Sequence, residues 1–262
     1  MLDVIEHPLR TEGAHEGACI RELRLARPPV NALNIDLLRA LIVGVEAAAK
    51  DAALVITGQP GMFSGGLDVR GMLALDRDAI AALFIELWRV QYALARSPVP
   101  VVFGITGHSP AGGTVLAIHG DYRVMAQGEF RMGLNEVQVG LFPGDVIFGA
   151  FQRLVGGHAA QLLSRGALID PATALRVGLV DELCEASQVA TRALAVAREF
   201  TELPREPMLR TRAMTRRDLI ELFGDHAHGK ANEREFAVLG VEMWFVPDTQ
   251  ERLKKAFLRK GD

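Results

Sequence analysis

Residues Phe63–Asp68 read F-S-G-G-L-D and follow the apolar run Ala53–Thr57. A second glycine pair lies in Ser109–Gly113, which reads S-P-A-G-G and follows the apolar run Val99–Ile105. Each pattern is typical of a strand that ends in a turn, where glycines let a ligand come close to the backbone. Two such turns side by side could aim two backbone N–H groups at one oxygen atom, which is the requirement of an oxyanion hole.

Around these turns, predicted strands alternate with predicted helices. The alternation of apolar and charged residues in Cys19–Leu25 predicts a half-exposed strand, and Asn34 is a candidate N-cap for a helix from Ile35 to about Lys50. Such alternation favours an α/β layer over a helical bundle. The remaining elements predicted up to residue 132 are a long helix from about Asp78 to Arg96, a short helix from about Ala111 to His119, and the short strands Tyr122–Met125 and Glu129–Met132.

The second half of the chain has a different pattern. From Pro143 to Phe200 it is mostly helical, and beyond Phe200 it becomes charged and strand-poor. We therefore expect two parts, a core over residues 1–200 and a helical C-terminal region over residues 201–262. This second region would pack on the core or on a neighbouring subunit.

Composition excludes several classes of protein. The chain has 262 residues, a formal net charge of −3 and an ordinary share of apolar residues, 49%. This charge gives no electrostatic reason to expect nucleic acid or an anionic membrane as a partner. The two cysteines, Cys19 and Cys184, are too isolated for a disulfide framework or a metal site. With no apolar span long enough to cross a bilayer and no signal-peptide pattern, we expect a cytoplasmic protein.

One alternative motif fails on chemical grounds. Gly107–Ala111 nearly matches the G-x-S-x-G turn that presents a nucleophilic serine. The residue after that serine must donate its backbone N–H to the oxyanion, and here it is Pro110, which has none. A serine hydrolase is therefore disfavoured. The sequence also lacks the glycine-rich motifs that bind nucleotide phosphates and any histidine spacing typical of a metal site, so we expect neither a metal nor a redox cofactor.

An acidic residue downstream is a candidate base. Glu136 precedes the apolar stretch Val137–Phe142, which we expect to be buried, and a carboxylate held against it would have a raised pKa. Such a group would exchange protons efficiently near neutral pH. An acid beside a turn is more often simply solvated, so this assignment needs support. Asp145 is a rival acid, although its position favours an N-cap.

Five motifs in order resemble the crotonase (enoyl-CoA hydratase/isomerase) superfamily. They are R-P-P-V-N-A-L-N at residues 27–34, F-S-G-G-L-D at 63–68, P-A-G-G at 110–113, D-Y-R at 121–123 and G-L-N-E at 133–136. The resemblance covers most of the chain from about residue 19. It implies a spiral of ββα repeats with a helical C-terminal trimerisation region, assembled as a homotrimer or homohexamer, and an acyl-CoA thioester as substrate, with coenzyme A as part of it.

The resemblance also implies residue roles. The two oxyanion donors would be the backbone N–H groups of Leu67 and Gly112, the second aided by a helix dipole. The carbonyls of Gly65 and Leu67 match positions that bind adenine. The other residues that it places in the CoA site are Arg27 and Val30, which match the strand end along the CoA arm, Asp68 in the first turn, and Phe257 and Lys260, which resemble an aromatic and basic pair that a neighbouring subunit often contributes.

One departure from the hydratase pattern points to the reaction. Hydratases carry two glutamates, and the first of these positions is Val115 here while the second is Glu136. One carboxylate suits a proton shuttle, so the resemblance implies a Δ3,Δ2-enoyl-CoA isomerase of fatty-acid β-oxidation. The alternatives are an enoyl-CoA hydratase or another enolate-forming enzyme, and a non-catalytic acyl-CoA-binding protein. The dienoyl isomerase branch needs a second acid where this chain has Gly144, and roles for Asp145 and His108 stay open.

Overall fold

A computed structural model gives the fold and describes residues 1–9, 18–224 and 229–258. Within these ranges nine strands form two sheets. The strands are β1 Leu2–Pro8, β2 Cys19–Leu25, β3 Ala53–Thr57, β4 Gly61–Met62, β5 Val101–Ile105, β6 Gly107–Pro110, β7 Tyr122–Ala126, β8 Met132–Gly133 and β9 Glu182–Cys184.

Twelve α-helices occur in the same described ranges. They are α1 Ile35–Ala47, α2 Val69–Met72, α3 Arg77–Ala95, α4 Gly112–Ala117, α5 Gly144–Val155, α6 His158–Ser164, α7 Pro171–Arg176, α8 Val189–Glu202, α9 Arg205–Thr215, α10 Arg217–Glu221, α11 Gly229–Trp244 and α12 Pro247–Phe257. The predicted cap is present, because the Asn34 side chain accepts a hydrogen bond from the Leu37 N–H at the start of α1. None of the helices in the described part of the chain combines the length and apolarity needed to cross a membrane.

The two sheets share one repeating connection. The large sheet has the order β1-β2-β3-β5-β7-β9 and is parallel except for the antiparallel pair β1–β2, and the small sheet has the order β4-β6-β8. Each of β3, β5 and β7 is followed by a strand of the small sheet and then by a helix. This is the predicted spiral of ββα repeats, and the α/β fold class is confirmed.

The small sheet brings the two glycine turns together. Strands β4 and β6 pair in parallel, with Gly61 opposite Gly107. A Cβ atom on Gly107 would lie only 2.0 Å from the carbonyl carbon of Gly61, so no side chain fits at this position. Because β4 and β6 run parallel to each other, the turns that follow them leave the sheet at the same edge.

The expectation of a half-exposed strand at Cys19–Leu25 is wrong, since β2 is buried on both faces. Helix α8 covers one face of the large sheet, and α1 and α3 belong to the core on the other. The charged residues of β2 tolerate this because they are paired. Arg21 bonds to Asp51, and Glu22 accepts hydrogen bonds from the Thr57 hydroxyl (2.7 Å) and from Arg24.

Several strands differ from the prediction. The strand expected over Glu129–Met132 covers only Met132–Gly133, because these are the two residues that pair with β6. Strand β1 and the three-residue β9 were not predicted from the pattern. Residue 200, the predicted boundary between core and C-terminal region, lies inside α8, and α11 packs along α3 of the core. The two-part division stays a prediction.

Candidate active site

The two glycine turns meet at Gly66 and Gly112. A Cβ atom on Gly112 would lie 3.2 Å from the Gly66 Cα and 3.3 Å from the Leu67 nitrogen. Gly66 has a φ of 87°, a conformation that favours glycine. Among the described residues, no acceptor takes a hydrogen bond from the N–H of Leu67 or of Gly112. Two neighbouring turns thus each leave one backbone donor available.

The first turn is held by a buried asparagine. Asn31 has a φ of 50° and is fully buried, and its side-chain amide donates to the Phe63 carbonyl oxygen (3.0 Å). The Ser64 hydroxyl donates to the Asn31 carbonyl oxygen (2.9 Å), and the Leu33 N–H donates to the Gly66 carbonyl oxygen (2.7 Å). These bonds fix the backbone around Leu67, so its N–H is placed by the fold rather than by its own side chain.

The second turn contains an unusual backbone conformation. Ala111, directly before Gly112, has a φ of 45° and a ψ of −117°, which is rare for a residue with a Cβ. The surrounding bonds hold it there, since its N–H donates to the Gly133 carbonyl oxygen (2.8 Å) and the Gly133 N–H donates to the Thr114 hydroxyl (2.9 Å). Such strain costs about 1–3 kcal/mol and tends to occur at functional sites.

A cavity of about 490 Å³ opens at these turns. Its lining is mostly apolar, and it brings together several of the predicted residues that are distant in the sequence. The predicted site residues that line it are Gly65, Leu67, Gly112, Glu136 and Phe257. The predicted chemistry therefore has a common space in which a substrate could lie.

Glu136 lines this cavity at the start of a short 3₁₀ helix, Glu136–Val139. Its Oε2 atom is buried and has no hydrogen-bond partner among the described residues. Burial raises the pKa of this carboxyl from 4.5 to about 7, with a smaller opposing contribution from a backbone hydrogen bond. The expected burial of Val137–Phe142 is wrong, however, because Val137 and Phe142 are exposed.

The segment that carries Glu136 is anchored from two sides. The Gln138 side-chain amide donates to the Gly166 carbonyl oxygen (2.8 Å). The buried Thr249 of α12 donates its hydroxyl proton to the Gly140 carbonyl oxygen (3.0 Å). The C-terminal helices thus help to fix the position of the Glu136 carboxylate.

The other residues that the sequence analysis considered divide into two groups. Val115 and Asp145 line the cavity, and Asp145 is exposed. The expected N-cap role of Asp145 is wrong, since α5 begins at Gly144 and no side chain caps it. His108 does not line the cavity, and its Nδ1 accepts a hydrogen bond from the Arg131 N–H (3.2 Å). Ser109 is fully buried, which also argues against a serine nucleophile.

The residues predicted to contact CoA lie around the first turn. Arg27 donates to the Asp68 carboxylate (2.6 Å), and Asp68 caps α2 by accepting from the Gly71 N–H. The Val30 carbonyl accepts from the Gly65 N–H (2.7 Å) while the Val30 side chain is exposed. None of Arg27, Val30 and Asp68 lines the cavity, and their role toward CoA stays a prediction.

The C-terminal helices supply a wall of the cavity that the sequence did not reveal. Phe257 lines the cavity of its own chain, whereas the resemblance placed it with a neighbouring subunit. Lys260 lies outside the described residues. The lining residues that α11 and α12 contribute besides Phe257 are Asn232, Glu235, Phe236, Leu239, Gly240, Met243, Trp244 and Leu253. Residues such as Phe236 and Gly240 could not be predicted to line a cavity, because their sequence pattern is the same as that of a helix packed in an ordinary core.

Comparisons with known proteins agree with this architecture. The family model described as enoyl-CoA hydratase/isomerase matches residues 15–220. The chain belongs to this family. Enoyl-CoA delta isomerase 1, mitochondrial, of Homo sapiens is 30% identical over 207 residues, which cover 77% of this chain and 68% of the human protein.

Other members of the enoyl-CoA hydratase/isomerase family match comparably well. A probable enoyl-CoA hydratase of Mycobacterium avium is 32% identical over 196 residues, 73% of this chain and 76% of that protein. The crystal structure of human mitochondrial Δ3-Δ2-enoyl-CoA isomerase superposes with a TM-score of 0.84 and 26% sequence identity, covering 97% of this chain and 96% of the human chain. An acyl-CoA substrate fits this family, and both isomerases and hydratases are named among the relatives.

Proposed function

We propose that this enzyme is a Δ3,Δ2-enoyl-CoA isomerase of fatty-acid β-oxidation that uses Glu136 as its single acid and base. The observation that carries the proposal is the Glu136 Oε2 atom, which is buried and unpartnered among the described residues and belongs to a residue that lines the cavity. By the family resemblance, Val115 occupies the first of the two positions where hydratases carry a glutamate, and Glu136 occupies the second. A lone carboxylate in an apolar cavity suits proton transfer between two carbons of one substrate.

The proposed reaction balances without a further reactant. The Glu136 carboxylate takes a proton from C2 of a 3-enoyl-CoA, and the C–H electron pair moves into the thioester to form a dienolate. The Leu67 and Gly112 N–H groups would stabilise the negative oxygen. Protonated Glu136 then delivers its proton to C4, so the double bond moves from C3–C4 to C2–C3. Water is neither gained nor lost.

The environment of Glu136 fits this role. A base works best when its pKa lies near the working pH, and burial raises the pKa of Glu136 to about 7. The carboxylate form is the base, so kcat/KM should rise as the pH rises through about 7 and level off above it. Below about pH 7, kcat/KM falls because protonation of Glu136 removes the base from the free enzyme.

A hydratase is the second candidate. Asp145 lines the same cavity and is exposed, so it is the first side chain to consider for activating a water molecule. The relative in Mycobacterium avium named as a probable enoyl-CoA hydratase also supports this candidate. Against it, Asp145 lies in the first turn of α5 and is exposed to solvent, whereas the Oε2 atom of Glu136 is buried.

Two incubations separate these candidates. The enzyme is given a 3-enoyl-CoA and, separately, a 2-enoyl-CoA, and the products are followed by mass and by ultraviolet absorbance. The isomerase predicts conjugation of the 3-enoyl double bond with no change of mass. A gain of one water molecule by the 2-enoyl substrate would support the hydratase instead. Binding of both thioesters without any conversion would indicate an acyl-CoA-binding protein.

A further inference from the structure

The wall of the cavity contributed by α3 and α11 contains a glycine at an unusually close contact. We define this helical wall as Phe84 on α3 together with Phe236, Leu239, Gly240 and Met243 on α11, all of which line the cavity. An ideal Cβ atom on Gly240 would lie 2.9 Å from both Cγ and Cδ2 of the Phe84 ring. The ring therefore lies directly against the backbone of α11, in space that any other residue at 240 would fill.

The position of the Phe84 ring is set by its neighbours as well as by Gly240. The Phe84 and Phe236 rings meet edge to face, with centroids 6.3 Å apart and planes at 76°. Phe236 precedes Gly240 by one helical turn, so both lie on the same face of α11. Phe84 is only 7% exposed although it lines the cavity, so its ring is packed on one side and bounds the cavity on the other.

Helix α11 cannot readily move away to make room at position 240. Ala237, Val241 and Trp244 of α11 are buried in the core. Arg89 of α3 also bonds to Glu233 of α11, with a nitrogen–oxygen distance of 2.8 Å. A methyl group on residue 240 would thus displace the Phe84 ring more easily than the helix, and the free space beside the ring is the cavity.

We propose that Gly240 determines the size of the acyl chain that the cavity accepts, because it lets the Phe84 ring lie against α11 and out of the cavity. The inference rests on the proposed function, since it takes the cavity as the site of the acyl chain. Neither residue would touch the reacting carbons. Their effect would be on the affinity for long chains relative to short ones.

The test uses saturated acyl-CoA thioesters, which bind without reacting. Dissociation constants are measured by calorimetry for butanoyl-, hexanoyl-, octanoyl- and decanoyl-CoA with the wild-type enzyme and with Gly240→Ala. We expect Gly240→Ala to weaken the binding of the longest chain relative to the shortest by roughly tenfold, which corresponds to about two methylene groups excluded from the apolar space. An unchanged ratio would overturn the inference.

A double variant tests whether the effect acts through Phe84. Phe84→Leu alone should shift the preference toward longer chains, because it removes ring atoms that bound the cavity. In the Phe84→Leu background, Gly240→Ala should have little further effect on the ratio. If Gly240→Ala shifts the ratio equally in both backgrounds, the methyl group narrows the cavity by itself and the proposed role of Phe84 is wrong. Should Gly240→Ala fail to fold, the direction of the Phe84→Leu shift decides.

A matched control comes from α1. A Cβ atom on Gly44 would be crowded to 2.8 Å by Leu23, but neither residue lines the cavity. Gly44→Ala should leave the chain-length profile unchanged, and a shift equal to that of Gly240→Ala would mean that general strain in the core causes both. A wild-type enzyme that binds the series but does not isomerise contradicts the proposed function alone. Failure to bind any of the thioesters contradicts both.

Discussion

Two parts of the same cavity are built in different ways. At the glycine turns, the candidate oxyanion donors are backbone N–H groups of Leu67 and Gly112, in turns held by hydrogen bonds of the main chain and of buried polar side chains. At the helical wall, the lining consists of side chains on two packed helices, with Phe84 against Gly240. Backbone positions depend on the fold, whereas side-chain positions depend on single residues. We therefore expect that substitutions at the helical wall change the preference for acyl-chain length while the rate of proton transfer changes little.

Replacement of Glu136 should have the largest effect, because it is the one side chain in the proposed chemistry. Glu136→Gln keeps the shape of the residue and removes the base. We expect kcat for 3-enoyl-CoA isomerisation to fall by roughly 100- to 10,000-fold, the usual contribution of a positioned acid and base. Steady-state assays check this, with Asp145→Asn as the comparison. A greater loss of kcat in Asp145→Asn than in Glu136→Gln would assign the acid–base role to Asp145 and contradict the proposal.

The next largest effect is expected at the glycine turns, where two substitutions distinguish the role of the backbone from that of a side chain. A Cβ atom on Gly112 would lie 3.3 Å from the Leu67 nitrogen, so Gly112→Ala should occlude the space for the thioester oxygen. Loss of one oxyanion donor typically costs roughly 100- to 1,000-fold in kcat. Leu67→Ala keeps its N–H and should cost much less. Equal losses in the two variants, measured under the same conditions, would show that the Leu67 side chain matters as much as the backbone.

Glu136 should also affect stability, in the direction opposite to its effect on activity. Its pKa in the folded enzyme is raised from 4.5 to about 7, so the fold is favoured by protonation, fully below pH 4.5 and progressively less as the pH rises to about 7. At about pH 8 the buried carboxylate is ionised, and Glu136→Gln should be more stable than the wild type by about 1–3 kcal/mol. Urea unfolding across this range checks it. A stability difference that grows toward acid pH would contradict the assigned burial.

A smaller effect is expected at the first turn outside the cavity. Asp68 accepts hydrogen bonds from the Gly71 N–H and from Arg27 but does not line the cavity. Asp68→Ala should lower the free energy of unfolding by about 1 kcal/mol through loss of the cap, while kcat stays close to that of the wild type. Thermal unfolding and steady-state kinetics together test this. A selective rise in KM without loss of stability would instead assign Asp68 to CoA binding.

Much of the fold can be predicted from local patterns. The strands Cys19–Leu25 and Ala53–Thr57 have the predicted bounds, and Asn34 caps its helix, because these features depend on neighbouring residues. Pairs of residues such as Gly61–Met62 become a strand only when a distant segment pairs with them, so the small sheet had no periodicity to detect. Burial of β2 on both faces depends on α8, which lies far along the chain.

The candidate site, like the fold, could be predicted only where it depends on short stretches of sequence. The glycine turns and Glu136 could be proposed from the sequence because they form short motifs, and their roles stay predictions. The positive φ of Ala111, the exposure of Val137 and Phe142, and the contact of Gly240 with Phe84 depend on long-range packing that no local pattern contains. The hydrogen bond from the Thr249 hydroxyl to the Gly140 carbonyl joins residues that are 109 positions apart in the sequence.

Transfer of an isotopic label tests the central claim, that one carboxylate carries the proton from C2 to C4. A 3-enoyl-CoA deuterated at C2 is converted in ordinary water, and the product is examined by mass spectrometry and NMR after brief reaction. We expect a 2-enoyl-CoA with part of the deuterium at C4. With Glu136→Gln, we expect both product formation and transfer of the label to be far slower than with the wild-type enzyme. Deuterium lost entirely to solvent, or transfer that persists in Glu136→Gln, would contradict the single-glutamate shuttle.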